Sequence, residues 1–227
     1  MMAMDSGVKG EDSRSRGYDG ARRREASDAT RRAILAAARA LLIERGYHST
    51  PVAEIARAAG VHVDTVYRLV GRKPVLLREL VELAISGTDR AVAAEEREEV
   101  VAIRAASKPA DKIALYARTT RGIHARLAPL MRSLRDAAVT DTEASAVWSE
   151  ISERRAANMH KFIDDLRAAG GVRDGLATDT AADTVWVTNS VEVFVMLTDQ
   201  RGWTPEAYEQ WLVDLWSRFL LPPARKA

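Results

Sequence analysis

The sequence predicts an all-α protein, and three observations point to that fold class. Apolar residues recur at helical spacing from Asp28 onward. No stretch alternates apolar and polar residues as a half-buried strand would. Glycine and proline interrupt the apolar pattern where helices are expected to end or begin, as at Gly46, Gly60 and Pro205. With 47% hydrophobic residues among 227, the chain has enough apolar side chains to bury a core.

Composition narrows the classes of function. The chain contains no cysteine, which excludes a disulfide framework, a thiolate metal site and a thiol nucleophile. No apolar run reaches the roughly 18 residues that a membrane-spanning helix needs. The first residues are polar and charged, unlike a secretory signal. We therefore expect a soluble cytoplasmic protein that has no membrane partner and uses neither a cofactor nor a metal.

Charge is unevenly distributed along the chain. Residues 1–73 carry 14 Lys or Arg and 9 Asp or Glu, a net charge of +5, whereas residues 74–227 carry 20 and 23, a net charge of −3. A basic front segment indicates contact with a polyanion. Residues 1–27, rich in Gly, Ser, Arg and Asp, predict a flexible basic arm. The cluster Arg22-Arg23-Arg24 either belongs to a solvated tail or adds DNA contacts.

Helix start and stop signals divide the segment 28–73 into three helices. The first is predicted from about Asp28 to Glu44. The second begins after Thr50, whose hydroxyl is expected to cap it, and ends at Gly60. The third covers about His62 to Val70, and a fourth helix begins at Pro74.

The second and third helices are joined by a short turn at Ala59-Gly60-Val61. Gly60 is suited to the left-handed backbone conformation that a sharp turn requires. Small side chains at Ala56 and Ala59 allow the two helices to approach closely. This arrangement predicts a helix-turn-helix, in which the second helix lies in the major groove of DNA.

The residues of this segment resemble a known family. The matching motifs are Ile34-Leu35-x-x-Ala38, Gly46-Tyr47, Ile55-Ala56-x-x-Ala59-Gly60-Val61, Thr65-Val66-Tyr67 and Lys73-x-x-Leu76-Leu77. Together they resemble the N-terminal signature of TetR-type regulators. The resemblance implies a homodimer that binds a palindromic operator, and a C-terminal pocket whose ligand changes the spacing of the recognition helices. It favours a repressor over an activator. The chain departs from the usual pattern at His62, Asp64, Val70 and Pro74, which leaves the operator sequence open.

Several side chains are candidates for DNA contact. Hydroxyl groups such as those of Thr65 and Tyr67 bind phosphate oxygens, whereas Val63, Asp64 and Arg68 have the chemistry to contact base edges. Lys73 resembles the family's phosphate-contacting lysine. For His62, a cap, a phosphate contact and simple exposure remain open, and ordinary surface chemistry is the alternative for every exposed residue. The predicted set is Thr50, His62, Val63, Asp64, Thr65, Tyr67, Arg68 and Lys73.

Residues 74–221 are expected to form a helical domain for ligand binding and dimerisation, followed by a tail at 222–227. Helices are predicted at 110–121, 123–138, 142–169, 178–199 and 204–220. The helix at 178–199 is apolar nearly all round, so we expect it and the last helix to pair with their copies in a four-helix interface. A single buried core helix is the alternative. The predicted interface residues are Val191, Phe194, Val195, Trp211, Leu215 and Phe219.

A ligand pocket is also predicted in this domain. Binding sites combine apolar walls with a few polar groups, and aromatic walls favour an apolar or aromatic effector. Core packing is an equally good explanation for each residue. The candidates are Tyr116, His124, Met131, Trp148, Trp186 and Asn189.

Two other functions were weighed. An all-α enzyme would need a catalytic constellation, and His124, His160 and Glu192 do not have the spacing of a known metal or acid–base site. A nonspecific DNA-binding protein would need a broader basic surface than this chain carries. The sequence therefore predicts a sequence-specific DNA-binding regulator, with double-stranded DNA, a second copy of the chain and a small-molecule effector as partners.

Overall fold

The computed structural model describes residues 12–223, with side chains from Arg22 onward; the remainder of the expected arm and the end of the tail lie outside the described residues. The described chain is helical without strands, which confirms the predicted all-α class. Its ten α-helices are α1 (Asp12–Arg45), α2 (Val52–Ala58), α3 (Val63–Leu69), α4 (Lys73–Ser86), α5 (Glu98–Ala105), α6 (Pro109–Thr140), α7 (Thr142–Ala168), α8 (Thr178–Thr188), α9 (Val191–Val195) and α10 (Pro205–Leu220).

The first helix is longer than the sequence pattern predicted. It begins at Asp12, inside the segment expected to be a flexible arm, rather than near Asp28. The added segment lacks an apolar stripe, which is why periodicity did not reveal it. Its Ala, Arg and Glu residues around 21–26 are strong helix formers, and that propensity extends the helix without help from a core.

Helices α2 and α3 form the predicted helix-turn-helix. Gly60 adopts a left-handed backbone conformation with φ +69°, which turns the chain between the two helices. The amide of Val61 closes the turn by donating to the carbonyl of Ala56 at 3.0 Å. Ile55 and Val66 are fully buried beneath the turn, against the apolar face of α1. Packing, rather than helix length, therefore holds these two seven-residue helices in place.

Helix α6 is continuous where two helices were predicted. Gly122 lies inside it instead of separating helices at 110–121 and 123–138, and Pro129 also lies inside it. Pro129 is exposed, so the carbonyl that loses its hydrogen bond to the missing proline N–H lies on the solvent side. The opposite side of α6 packs against α4, α7 and α10, and that packing offsets the local cost of glycine and proline.

The helix predicted at 178–199 is interrupted instead. It ends at Thr188, and α9 begins at Val191 after a break at Asn189 and Ser190. The Ser190 hydroxyl accepts from the amide of Val193 at 3.1 Å and so caps the new helix. A π-helical turn at Met196–Gln200 follows. The predictions at 142–169 and 204–220 agree closely with α7 and α10.

Two clusters of buried apolar side chains hold the fold together. The lower cluster joins α1–α4 to the C-terminal half of α6 and the start of α7. The upper cluster joins the N-terminal half of α6 to α7, α8 and α10. Within the described part of the chain, no helix has both the length and the hydropathy that crossing a bilayer requires.

Candidate DNA-binding surface and internal polar site

The outer face of α3 presents a row of polar side chains to solvent. His62, Asp64, Tyr67 and Arg68 are exposed, and Tyr67 retains 48% of its accessible surface. Val63 and Thr65 are half-buried at the start of the same helix. His62 precedes α3 without capping it through its side chain. The predicted residues of α3 therefore share one accessible helix face that carries hydroxyl, carboxylate and guanidinium groups.

Thr50 has a different role from the predicted one. Helix α2 begins after Pro51 without a side-chain cap, so the expected cap is wrong. The Thr50 side chain is 1% exposed and its hydroxyl donates to the carbonyl of Gly46 at 2.8 Å and to that of Leu41 at 3.3 Å. The end of α1 leaves carbonyls that need donors, and Thr50 supplies one. A buried hydroxyl that faces α1 is not available to DNA.

Lys73 is held against the body of the protein. Its ammonium donates to the backbone carbonyl of Tyr47 and lies 3.9 Å from the centre of the Tyr47 ring. Burial lowers the pKa of Lys73, and the charge of Asp141 partly opposes that shift. An ammonium carries three N–H donors, so a phosphate contact through another donor remains a prediction.

Asp141 links the DNA-binding helices to the rest of the chain. One carboxylate oxygen accepts from the amides of Glu143 and Ala144 at 3.0 and 3.2 Å and caps α7. The other accepts from the Tyr47 hydroxyl at 2.7 Å. The hydrogen bond from Tyr47 is the main cause that lowers the pKa of Asp141. Sequence reasoning missed this residue, although Asp-Thr-Glu before a helical run is a capping pattern.

Further contacts couple the same elements. Ser133 of α6 donates to the carbonyl of Leu42 at 2.6 Å, and both groups are buried. Arg126 of α6 caps the end of α4 by donating to the carbonyl of Ala84 at 2.8 Å. Two ion pairs, Arg78–Glu150 and Arg154–Glu82, tie α4 to α7. These contacts connect α6 and α7 to α1 and to α4, the helix that directly follows the helix-turn-helix.

The upper cluster encloses a network of polar and aromatic side chains. Asn189, at the helix break, donates to the Tyr116 hydroxyl at 3.0 Å. The Tyr208 hydroxyl donates to the carbonyl of Thr188 at 3.0 Å and lies 3.4 Å from Nδ1 of His124. These groups come from α6, α10 and the junction between α8 and α9. The break after α8 therefore leaves buried polar groups that form hydrogen bonds with side chains of α6 and α10.

Arg155 of α7 brings a positive charge to this network. Its guanidinium lies 4.4 Å from the ring centre of Trp186 and donates to the Trp186 carbonyl at 3.0 Å. Burial, together with the charge of Arg155, lowers the pKa of His124 to about 3, so the imidazole is neutral at pH 7. Burial also lowers the pKa of Arg155 from its usual range. Sequence reasoning missed Arg155, whose only signal was its position one helical turn before the buried Met159.

The structure brings together four of the six predicted pocket residues. Tyr116, His124, Trp186 and Asn189 lie in or beside the network. Met131 and Trp148 pack against the lower cluster instead, apart from this network, and a ligand contact of theirs stays a prediction. They occupy inward stripes of α6 and α7, but at the ends of those helices nearest the DNA-binding domain.

The predicted interface residues fall into two groups. Val191 and Phe194 are 4% and 6% exposed within a single chain, so little of their surface remains for a partner, and their place in a dimer interface stays a prediction. The other four, Val195, Trp211, Leu215 and Phe219, are half-buried. Other large apolar side chains are more exposed nearby in sequence, namely Val187, Met196 and Trp203.

The histidines weighed for an enzyme lie in different surroundings. His124 is buried in the network, whereas His160 is partly exposed and contacts Asp179 at 3.2 Å. Among the side chains that the structure describes, no three His, Asp or Glu residues are grouped so that they could hold a metal ion. The geometry thus offers a polar network without a metal-binding cluster in that part of the chain.

Comparison with known proteins identifies the N-terminal segment. Residues 34–80 match the family model of bacterial regulatory proteins, tetR family. No curated protein sequence matches the chain.

Solved structures share the fold of nearly the whole chain. FadR from Bacillus halodurans, a fatty acid degradation regulator, is 19% identical, with a TM-score of 0.67 over 83% of this chain and 94% of that one. FadR from Bacillus subtilis, in complex with stearoyl-CoA, is 21% identical, with a TM-score of 0.66 over 82% and 96%. NalD, the secondary repressor of the MexAB-OprM multidrug efflux pump in Pseudomonas aeruginosa, is 23% identical, with a TM-score of 0.65 over 87% and 98%.

Proposed function

Because the chain carries the DNA-binding domain of the tetR family and has the fold of TetR-type transcriptional regulators, we propose that it acts as a sequence-specific, ligand-responsive repressor. The accessible face of α3 carries this proposal. Tyr67 and Arg68 project from a rigid helix that packs on α1, so their positions are fixed before DNA binds. A helix presented in this way fits the major groove, with hydroxyl groups for phosphates and a guanidinium for base edges or phosphates.

The proposed repressor is a homodimer that binds a palindromic operator. An unpartnered chain leaves Val187, Met196 and Trp203 with 53%, 46% and 36% of their surface exposed, on or between α8 and α10. Trp203 contacts the half-buried Trp211 of α10, with 6.3 Å between ring centres, and Leu215 is also half-buried on that helix. Large exposed apolar side chains support the proposal, since contiguous apolar patches are typical of protein–protein interfaces. A two-fold dimer would place two copies of α3 on successive turns of DNA.

The proposed ligand response depends on the internal polar site. This site lies in the upper cluster, and α6 and α7 extend from it to the contacts that hold the DNA-binding domain. Among the structural relatives, one was solved in complex with stearoyl-CoA and another is a repressor of an efflux pump. We infer that a small molecule bound in the upper cluster changes the separation of the two α3 helices and releases DNA.

Selection of bound duplexes from a random DNA pool, at two salt concentrations, tests the proposal. Enrichment of a pseudo-palindrome is expected from the wild-type protein, together with a dimeric mass by light scattering. Recovery of DNA without any preferred sequence would indicate a nonspecific DNA-binding protein and contradict the proposal. A monomer at micromolar concentration would contradict the dimer.

Variants then locate the contact surface. Tyr67→Phe should weaken binding to all sequences alike, because it removes a hydroxyl that contacts phosphate, whereas Arg68→Ala should either relax the preference at particular base pairs or weaken binding uniformly. Arg118→Ala is the matched control, since Arg118 is an exposed arginine on α6, away from α3. Equal affinity of all three variants for the selected operator would refute the assignment of α3 as the DNA-contacting helix.

A further inference from the structure

Two N–H groups in the upper cluster have no acceptor. Nε of Arg155 and Nε1 of Trp186 are both shielded from solvent, and neither donates to any atom of the described residues. They are neighbours, because the Arg155 guanidinium lies on the Trp186 ring. A buried donor without a partner is destabilising, so it calls for an explanation. Two such donors side by side form a local surplus of donors over acceptors.

A third donor nearby has only a weak partner. The Tyr116 hydroxyl accepts from Asn189, and its own proton is directed at the sulfur of Met159 at 3.1 Å. A thioether sulfur is a weak acceptor. Arg155 lies one helical turn before Met159 on α7, so the guanidinium and the Tyr116 hydroxyl both lie beside this part of the helix. The surplus of donors therefore extends from Trp186 to Tyr116.

The positive charge of Arg155 is also unpaired. No carboxylate of the described residues lies within 4.0 Å of its guanidinium, although the charge of Glu192 acts on it from farther away. Other shielded cations of this chain do have carboxylates, as Lys112 has Asp165 at 2.8 Å. A partly buried guanidinium without a carboxylate adds little to a purely structural core, because an apolar side chain at such a position avoids the cost of desolvating the charge.

We propose, building on the ligand-responsive function proposed above, that Arg155 and Trp186 bind the carboxylate of an organic acid whose apolar body lies among the aromatic side chains of the upper cluster. The carboxylate oxygens accept from Arg155 Nε and Trp186 Nε1. Tyr116 is the donor nearest to a second polar group of the ligand, once the side chain of Met159 moves aside. Methionine has three flexible side-chain bonds, so it is suited to this displacement.

The single positive charge of Arg155 and the apolar side chains around it favour a monocarboxylate as the ligand. One arginine balances one negative charge, whereas a phosphate monoester carries nearly two and would need a second cation. The neighbouring side chains are aromatic and packed on one another: Tyr116 stacks on Phe162 at 4.2 Å between ring centres and on Trp216 at 5.5 Å, so the apolar body of the ligand has to displace part of this packing. His124 is neutral at pH 7 and does not compete for the carboxylate. An aryl or alkyl acid satisfies both the donors and the apolar walls.

Calorimetric titration with matched pairs of probes tests the proposal. The probes are benzoate, 4-phenylbutyrate and decanoate, each compared with its primary amide, which has the same apolar body without the charge. At least one acid is expected to bind about tenfold or more tightly than its amide, because hydrogen bonds to charged groups are that much stronger. Arg155→Gln should remove the preference for the acid, and Trp186→Phe should reduce it.

Arg154→Gln is the control, since Arg154 precedes Arg155 on the same helix but is 42% exposed and pairs with Glu82. It should keep the wild-type preference. Arg155→Met tests folding independently: removal of an unpaired guanidinium should leave the protein folded and at least as resistant to urea. Equal affinity for acids and amides, absence of binding by all three acids at millimolar concentration, or an unchanged preference in Arg155→Gln would overturn the proposal. None of these results affects operator selection, which tests the DNA-binding function separately.

Discussion

The hydrogen bond from Tyr47 to Asp141 offers a direct measure of how firmly the DNA-binding domain is attached. Tyr47→Phe removes the hydroxyl and leaves the ring in place. The Tyr47 side chain is 5% exposed, and its ring still supports the ammonium of Lys73. The substitution therefore tests one contact, 2.7 Å long, between the end of α1 and the start of α7.

The magnitude follows from the surroundings of the two groups. A hydrogen bond to a charged acceptor contributes roughly 1.5–3 kcal/mol. Asp141 is partly exposed and keeps two amide donors, so water replaces part of the lost interaction. We expect Tyr47→Phe to lower the free energy of unfolding by about 1–1.5 kcal/mol. Asp141→Ala also removes the cap of α7, and should cost about 1 kcal/mol more.

Urea unfolding at a fixed protein concentration is the assay. The double variant should be no less stable than Asp141→Ala alone, which corresponds to a coupling energy of about 1 kcal/mol between the two side chains. Tyr67→Phe is the control, because it is the same substitution at an exposed tyrosine. The pKa of Asp141 is lower in the folded state than in the unfolded state, where it is about 3.9. The hydrogen bond therefore contributes fully to the free energy of unfolding above that pH, and its contribution is lost as the pH falls through the folded pKa. Strictly additive single variants, or a Tyr47→Phe protein as stable as wild type, would refute this account of the domain contact.

Three further predictions concern stability alone. His124 has a folded pKa of about 3 because it is buried beside Arg155, so the unfolded state takes up a proton below about pH 6.5 that the folded state does not. This group should therefore lower the free energy of unfolding of the wild type by about 2 kcal/mol between pH 7 and pH 5. Urea unfolding at the two pH values should show a smaller loss for His124→Phe, but not for His62→Asn. Lys112 donates to two carbonyls of α5 and pairs with Asp165, so Lys112→Met should cost about 2–4 kcal/mol, whereas the exposed Lys161→Met should cost under about 0.5 kcal/mol. A side chain at Gly171 would overlap Pro109, so Gly171→Ala should lower the melting temperature. Gly122→Ala inside α6 would place its methyl group only against the end of Arg126, so it should raise the melting temperature. Equal shifts of the two variants would contradict that reasoning.

Local signals were sufficient to predict the helix-turn-helix and the long helices α7 and α10. Their information lies within a few residues: Gly60 for a left-handed turn, Pro205 for the start of the last helix, and a regular apolar stripe along each helix. The same local rules failed at Gly122 and Pro129, because packing on three neighbouring helices outweighs their helix-breaking tendency. They also failed at Thr50, whose hydroxyl donates to carbonyls near the end of α1 instead of capping α2.

The internal site was predicted only in part, and the reason is physical. Tyr116, His124 and Asn189 were identifiable because polar groups on apolar helix faces need partners. Arg155 was not, since a long charged side chain usually extends its head into water. Only the tertiary arrangement shows that Trp186 covers the guanidinium. Likewise, Met131 and Trp148 lie on the same inward stripes as the true site residues, and the sequence does not tell which end of a long helix faces which cluster.

The position of Arg155 on α7 provides a physical route from the internal site to DNA. The preceding residue, Arg154, pairs with Glu82 on α4, and Glu150, one turn earlier, pairs with Arg78 on the same helix. A ligand that draws the Arg155 guanidinium toward its carboxylate thus acts on the stretch of α7 that holds α4, and α4 begins directly after α3. Linkage then requires that DNA lower the affinity for the acid by the same factor by which the acid lowers the affinity for DNA. The proposed ligand carboxylate would provide this coupling if it binds better to one position of α7 than to another, because it pairs a charge that has no carboxylate partner in the described residues.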